Sequence, residues 1–203
     1  GWLLARQTGA AFTELVIPLD LPGTKAQILA HSPSGRVPAV MDDDLTVWDS
    51  LAIAEYLHER YPDAGLWPEE PAARARARAV SAEMHAGFPV LRERLPMDLK
   101  RPRGPQDGAP GPDLAAEIER VLAIWSDCRE RFGGGGDFLF GGFSAADAFY
   151  APVVTRFVTY AIPLPERAAA YRDSVMAWPA MGDWIAAAQE EPWEIDPSKL
   201  QSA

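Results

Sequence analysis

Two kinds of hydrophobic pattern divide the chain. In the first part, short apolar runs are separated by turn residues, which is typical of strands and short helices. From residue 72 onward, apolar residues recur every three to four positions, which is typical of packed helices. The pattern therefore predicts a small α/β module followed by an all-helical module.

The first module is predicted to contain three helices, one strand and a β-hairpin. Apolar residues at alternating positions predict the strand, and a turn of three aspartates separates the two apolar runs of the hairpin. Gly9 follows the first helix, where a glycine readily adopts a left-handed cap. The predicted elements are, in chain order, a helix over 2–7, a strand over 12–19, a helix over 25–30, hairpin strands over 37–41 and 45–48, and a helix that begins at Asp49 and Ser50.

Proline and glycine separate the second module from the first and also interrupt it. Residues 63–71 are predicted to be a linker, which places the first domain at residues 1–62 and the second at 72–203. A Pro/Gly-rich loop is predicted over 100–112. The five predicted helical stretches are 72–99, interrupted by Pro89 and Pro96, then 113–132, 144–160, 165–177 and 180–189.

Composition narrows the function classes. Of the 203 residues, 48% are apolar, so the chain can bury a core, yet no apolar run reaches the about 18 residues of a membrane span. The net charge of -10 makes binding to a nucleic acid unfavourable. We therefore expect a cytoplasmic globular protein without membrane or nucleic-acid partners.

Two residue pairs are candidates for ligand binding. Val37-Pro38 opens a strand, where proline is either an ordinary edge residue or part of a cis peptide that turns the preceding backbone towards a ligand. Asp49-Ser50 begins a helix, so it is either a plain N-cap or a site for a group that carries both an anion and an amine. The residues alone leave both alternatives open.

Other reactive residue types favour structural roles. Ser144 and Asp147 form a predicted capping box, and the lone cysteine, Cys128, is predicted to be a packed residue. His31, His58 and His85 are scattered, so no metal site is expected.

A basic stretch lies between residues 74 and 103. It is interpreted as a solvated helix face, with a pocket for an anionic small molecule as the alternative. Its members are Arg74, Arg76, Arg78, Arg92, Arg94, Lys100, Arg101 and Arg103.

Three motifs occur in a characteristic order: S-P-S-G-R-V-P-A-V, then V-W-D-S-L-A-I-A-E-Y-L, then F-S-A-A-D-A-F. Together they resemble the cytosolic glutathione transferase family over essentially the whole chain, with bacterial zeta-like or serine-type members the most similar. The resemblance implies a thioredoxin-like α/β N-terminal domain followed by an all-α helical C-terminal domain. It also implies glutathione as co-substrate, a small electrophile as second substrate, no metal, and a homodimer.

The resemblance also assigns site residues. Val37 and Pro38 match the position that pairs with the cysteinyl part of glutathione, and Asp49 and Ser50 match the pair that holds its γ-glutamyl end. Arg36 matches a looser contact to the glycyl end. Met84, His85 and Phe88 are the candidates for the second-substrate pocket.

The family's activating Ser, Cys or Tyr has no counterpart in this chain. It belongs at the end of the first strand or the start of the first helix, and Thr8 is too far along that helix to replace it. We expect the activating residue upstream of Gly1; the alternative is a non-catalytic relative.

Two function hypotheses follow. The first is a glutathione-dependent transferase or isomerase, and the second is a transferase-like scaffold for protein interaction or ligand carriage. For a dimer, Leu66 and Trp67 near the linker are expected to be exposed and available to a partner subunit.

Overall fold

The computed structural model describes residues 1–100, 104 and 110–193. The chain divides into two compact units, Gly1–Trp67 and Pro68–Ala203, here called the N-terminal and C-terminal units. The division lies inside the linker predicted from composition; the predicted domain limits themselves stay predictions.

The N-terminal unit contains three helices and a two-stranded antiparallel sheet. A 3-10 turn, Pro62–Ala64, follows the last helix. The elements are α1 (Trp2–Thr8), α2 (Thr24–His31), β1 (Ala39–Asp42), β2 (Leu45–Trp48) and α3 (Ser50–Arg60).

Helix α3 connects the hairpin to the small core of this unit. Its buried residues Ile53 and Leu57 form that core with Leu3 and Leu4 of α1, since these apolar side chains leave water together. The hydroxyl of Tyr56, also on α3, donates a hydrogen bond to Asp42 at the end of β1. The hairpin is therefore held in place by the helix that follows it.

The strand predicted over residues 12–19 is wrong. This segment has no regular secondary structure, and Leu15, Val16 and Leu19 are exposed. A strand forms only when its backbone pairs with a neighbour, and within the described residues the only strand pairing of the N-terminal unit joins β1 and β2. Alternation of apolar residues along a segment is therefore not sufficient to predict a strand.

The C-terminal unit is helical among its described residues. Its elements are α4 (Pro71–Ala86), α5 (Pro89–Arg94), α6 (Pro112–Phe132), α7 (Ala145–Thr159), α8 (Glu166–Ala177) and α9 (Pro179–Glu190). No described helix combines the length and the apolar character that crossing a bilayer requires.

Trp125 of α6 lies at the centre of the C-terminal core. Its ring meets those of Tyr150, Phe157 and Tyr171 at centroid distances of 6.1, 5.6 and 4.7 Å. Edge-on and tilted aromatic pairs add stability to the burial of their apolar area. Helices α6, α7 and α8 are therefore joined through one aromatic cluster.

The predicted capping box at the start of α7 is confirmed. Asp147 is fully buried and accepts hydrogen bonds from the amides of Leu139 and Ser144 at 3.0 and 2.9 Å. The hydroxyls of Ser144 and Tyr171 add two more, at 2.8 and 3.1 Å. One carboxyl group thus joins the loop before α7, the first turn of α7, and α8.

The predicted exposure of Leu66 and Trp67 is wrong. Their exposed fractions are 0% and 2%, so neither side chain is available to a partner subunit. Proline and glycine around them indicate an irregular backbone, but large apolar side chains are still driven out of water wherever the fold offers cover.

Candidate functional site

The register of the hairpin brings the two candidate residue pairs together. Ala39, the first residue of β1, pairs with Trp48, the last residue of β2. Val37-Pro38 comes immediately before Ala39, and Asp49-Ser50 comes immediately after Trp48. Because paired residues in antiparallel strands lie about 5 Å apart, both candidate pairs lie at the same open end of the hairpin.

The Val37–Pro38 peptide bond is cis, so Pro38 is not an ordinary edge-strand proline. Pro38 precedes β1 and is not part of the strand ladder. A side chain built on Gly1 would meet the Pro38 ring at 3.2 Å and Ile53 of α3 at 3.9 Å. The start of α1 therefore packs against the proline beside the first turn of α3.

Asp49 is the N-cap of α3, as expected. Its Oδ1 accepts a hydrogen bond from the Leu51 amide at 2.8 Å. Its backbone, at φ 75° and ψ 132°, is in a region that costs a non-glycine residue about 1–3 kcal/mol. Asp49 is exposed, so the fold keeps its acidic side chain at the surface although the backbone of this residue is in an unfavourable conformation.

The first turn of α3 offers hydrogen-bond donors beside this carboxylate. Among the described residues, nothing accepts from the amides of Ser50 and Ala52, or from the Ser50 hydroxyl. Amides at a helix N-terminus favour an anion, since they carry the positive end of the helix dipole. An anion and a cation on one ligand can thus be bound side by side, the anion by these donors and the cation by Asp49.

Arg36 lies two residues before Pro38 and is exposed. Its amide bonds the Ser34 hydroxyl at 3.1 Å, so the backbone leading to the cis proline is fixed. The guanidinium is available for a second acidic group of the same ligand.

Family models match both parts of the chain. The model for the "Glutathione S-transferase, N-terminal domain" matches residues 1–60, and the model for the corresponding C-terminal domain matches residues 71–187. The chain belongs to the glutathione S-transferase family. It has the expected glutathione S-transferase architecture, with a thioredoxin-like N-terminal domain and an all-α C-terminal domain.

Individual relatives support the same assignment. The chain is 40% identical over 77 residues to maleylacetoacetate isomerase of Pseudomonas aeruginosa, covering 37% of this chain and 36% of the relative. A stringent starvation protein A homolog of Coxiella burnetii is 27% identical over 82% of this chain and 77% of its own length. The chain spans less than half the length of several other curated relatives that it matches.

A solved structure shows the same fold. A glutathione transferase homolog from Burkholderia, with bound glutathione, superimposes with a TM-score of 0.68 at 23% identity. The match covers 93% of this chain and 89% of that one.

The three candidates for the second-substrate pocket lie in different environments. Met84 and Phe88 are buried, with exposed fractions of 3% and 6%, whereas His85 is exposed. The His85 ring meets Phe149 of α7 edge-on, with 6.2 Å between the centroids. Phe149 ends the third motif of the sequence, but its proximity to His85 was not predicted, because it depends on the packing of α4 against α7.

Cys128 is unsuited to act as a thiolate. It is fully buried on α6, and burial raises the pKa of its thiol to about 11. Within the described part of the chain, no cluster of three or more metal-ligating side chains is present.

Much of the basic stretch is engaged within the C-terminal unit. Arg76 of α4 pairs with Asp127 of α6, and Arg74 donates to the carbonyls of Pro68 and Glu69 at 3.2 and 2.7 Å. Lys100 donates to the backbone carbonyls of Glu191 and Trp193. These contacts do not contradict the interpretation as a solvated face, since the Arg76 side chain is 39% exposed. Arg101 and Arg103 lie outside the described residues.

Proposed function

We propose that the protein binds glutathione at the open end of the hairpin and uses its thiol to attack a small electrophile, as a transferase or isomerase. The observation that carries this proposal is the pairing of Ala39 with Trp48, which places the cis proline beside the helix N-terminus that follows Asp49. Membership of the glutathione S-transferase family supports the same ligand.

The charges of the site complement the γ-glutamyl group. Its α-carboxylate is suited to the Ser50 and Ala52 amides and the Ser50 hydroxyl, and its ammonium is suited to the Asp49 carboxylate. The backbone of Val37 is proposed to pair with the cysteinyl residue, and Arg36 with the glycyl carboxylate. These contacts would hold the sulfur in one place, which is the contribution of positioning to catalysis.

The thiol also requires activation. A thiol of pKa about 8.5 is mostly protonated at neutral pH, and each unit by which the pKa is lowered stabilises the thiolate by about 1.4 kcal/mol. No described residue is assigned to this step; Cys128 is excluded by its burial. The electrophile is proposed to bind at the predicted second-substrate pocket of Met84, His85 and Phe88. His85 is the exposed residue of the three, and its ring contacts Phe149.

A calorimetric titration tests the glutathione site. Glutathione is expected to bind at least tenfold more tightly than the dipeptide cysteinylglycine, because only the tripeptide carries the γ-glutamyl charges that α3 and Asp49 are proposed to hold. Equal affinities would contradict the assignment of Asp49 and Ser50. Absence of binding of both would favour the scaffold.

That scaffold is the second candidate function. The similarity to a stringent starvation protein A homolog, which extends over 82% of the chain, is the observation that favours it. It predicts that the hairpin end has no glutathione affinity, so the same titration separates the two functions.

We also propose a cytoplasmic homodimer. The exposed apolar side chains that support the dimer are those of Met41, Leu45 and Trp48 in the hairpin, each 44–56% exposed. Leu66 and Trp67 are buried and do not support it. Light scattering at micromolar concentration is expected to give twice the chain mass of 22.1 kDa. A single-chain mass would contradict the dimer.

A further inference from the structure

The turn that precedes Val37 is packed against helix α2. Lys25 of α2 donates from Nζ to the Gly35 carbonyl at 2.9 Å. Gly35 has a φ of 63°, and a Cβ built on it would lie 2.3 Å from the Lys25 Nζ and 3.1 Å from a terminal carbon of Leu29. The lysine side chain therefore lies directly on the glycine, and a side chain on Gly35 would displace the ammonium from the carbonyl.

The peptide group between Gly35 and Arg36 is held at both of its polar atoms. Its oxygen accepts from Lys25, and its nitrogen donates to the Ser34 hydroxyl at 3.1 Å. Arg36 and Val37, which follow this peptide group, are the residues proposed to contact the glycyl and cysteinyl parts of glutathione. A contact that fixes the peptide group therefore also fixes the start of the proposed binding segment.

The Gly35 carbonyl is the partner that orders Lys25. Among the described residues, no carboxylate lies within ion-pair distance of the Lys25 ammonium. Lys25 is exposed, and an exposed lysine loses rotamer freedom when it is held in one place. A hydrogen bond from a charged donor is stronger than one between neutral groups, which favours this contact over free rotation.

Helix α2 gives Lys25 a fixed base. The Thr24 hydroxyl donates to the Pro18 carbonyl at 2.7 Å and accepts from the Leu21 amide at 3.2 Å. One turn further along, the side chain of Ile28 is buried. Lys25 therefore extends from a helix whose first turn is held to the segment before it.

We propose that Lys25 is a positioning residue of the glutathione site. Its ammonium holds the Gly35 carbonyl, and thereby keeps the backbone of Arg36 and Val37 in the conformation that binds the tripeptide, without contacting glutathione itself. A site that is ordered before its ligand arrives loses less conformational entropy on binding, so its affinity is higher. This inference rests on the proposed function, because it concerns the same site.

Calorimetric titration of glutathione into the whole chain tests the role of Lys25. Lys25→Met is expected to weaken binding about three- to tenfold, because the apolar stem is retained while the charged donor is lost. Lys25→Arg keeps a charged donor and should recover most of the affinity. Lys100→Met is the matched control: Lys100 also donates to backbone carbonyls, but in the C-terminal unit, and its replacement should leave the affinity unchanged.

Two further measurements distinguish positioning from a direct contact. Gly35→Ala displaces the Lys25 ammonium, so adding Lys25→Met to it should weaken binding no further. Lys25→Met should also weaken the glycyl amide of glutathione, which lacks the glycyl carboxylate, by the same factor as glutathione. If only glutathione itself were weakened, Lys25 would bind the glycyl carboxylate directly, and the positioning role would be wrong.

The outcomes separate this inference from the proposed function. If the unmodified chain does not bind glutathione, the proposed function is wrong, and the role of Lys25 in it is overturned as well. If the unmodified chain binds glutathione and Lys25→Met binds it equally tightly, only the positioning role is overturned. Thermal unfolding of each variant completes the test, since a loss of stability with unchanged affinity would show a merely structural contact.

Discussion

Replacing Asp147 with asparagine is expected to lower the free energy of unfolding at pH 7 by about 1–3 kcal/mol. Each carboxyl oxygen accepts from one backbone amide, that of Leu139 or that of Ser144. The amide nitrogen of asparagine would have to replace one of these oxygens and face a buried N–H that cannot turn away. One backbone donor is then left without an acceptor in the core.

Urea unfolding measures this loss, with Asp173→Asn as the matched control. Asp173 is on α8, where its exposed carboxylate pairs with Arg172 at 2.8 Å, so the same chemical change should cost less than about 1 kcal/mol. Equal effects of the two replacements would show that the hydrogen bonds of Asp147 contribute no more than a surface ion pair.

The same carboxyl has a pH dependence that follows from its burial. Burial raises the pKa of Asp147 to about 6 from 3.8, against the effect of its hydrogen-bond donors. Between these values the folded chain holds a proton that the unfolded chain has released, so this group's contribution to stability falls as the pH rises from 3.8 to 6. The carboxyl carbon signal of Asp147 should therefore titrate near pH 6; a midpoint below 3.8 would reverse the sign.

Local signals predicted the elements whose determinants are close in sequence. The hairpin, α3 and α7 were predicted well because an acidic turn, an N-cap and a capping box act within a few residues. The segment 12–19 was not, because its alternation is compatible with a strand but pairing depends on a neighbour elsewhere in the chain. The burial of Leu66 and Trp67 was not predicted for the same reason, since it depends on the tertiary packing around them.

The candidate site shows a similar division. The residue types of Asp49 and Ser50 and their place before a helix predict a site for an anion and an amine, but their proximity to Pro38 depends on the hairpin register. Met84, His85 and Phe88 are close in sequence, yet only His85 is exposed. Helical spacing groups residues on a face, and it does not distinguish a face that lines a pocket from one that fills the core.

Replacing Asp49 with asparagine is expected to weaken glutathione binding about tenfold to a hundredfold. Asparagine keeps the side-chain oxygen that bonds the Leu51 amide and tolerates a positive φ, so the helix cap and the backbone conformation are retained. The negative charge is lost, and with it the proposed ion pair to the γ-glutamyl ammonium. Calorimetry measures the affinity, and thermal unfolding confirms that the fold is retained.

Asp44→Asn is the matched control, because Asp44 lies in the turn at the opposite end of the same hairpin and loses the same charge. Its glutathione affinity should equal that of the unmodified chain. A glutathione analogue without the α-amino group should bind the unmodified chain and Asp49→Asn equally well, since neither complex can form the proposed ion pair. If Asp49→Asn weakened both ligands to the same extent, Asp49 would act by shaping the turn, and the ammonium contact would be wrong.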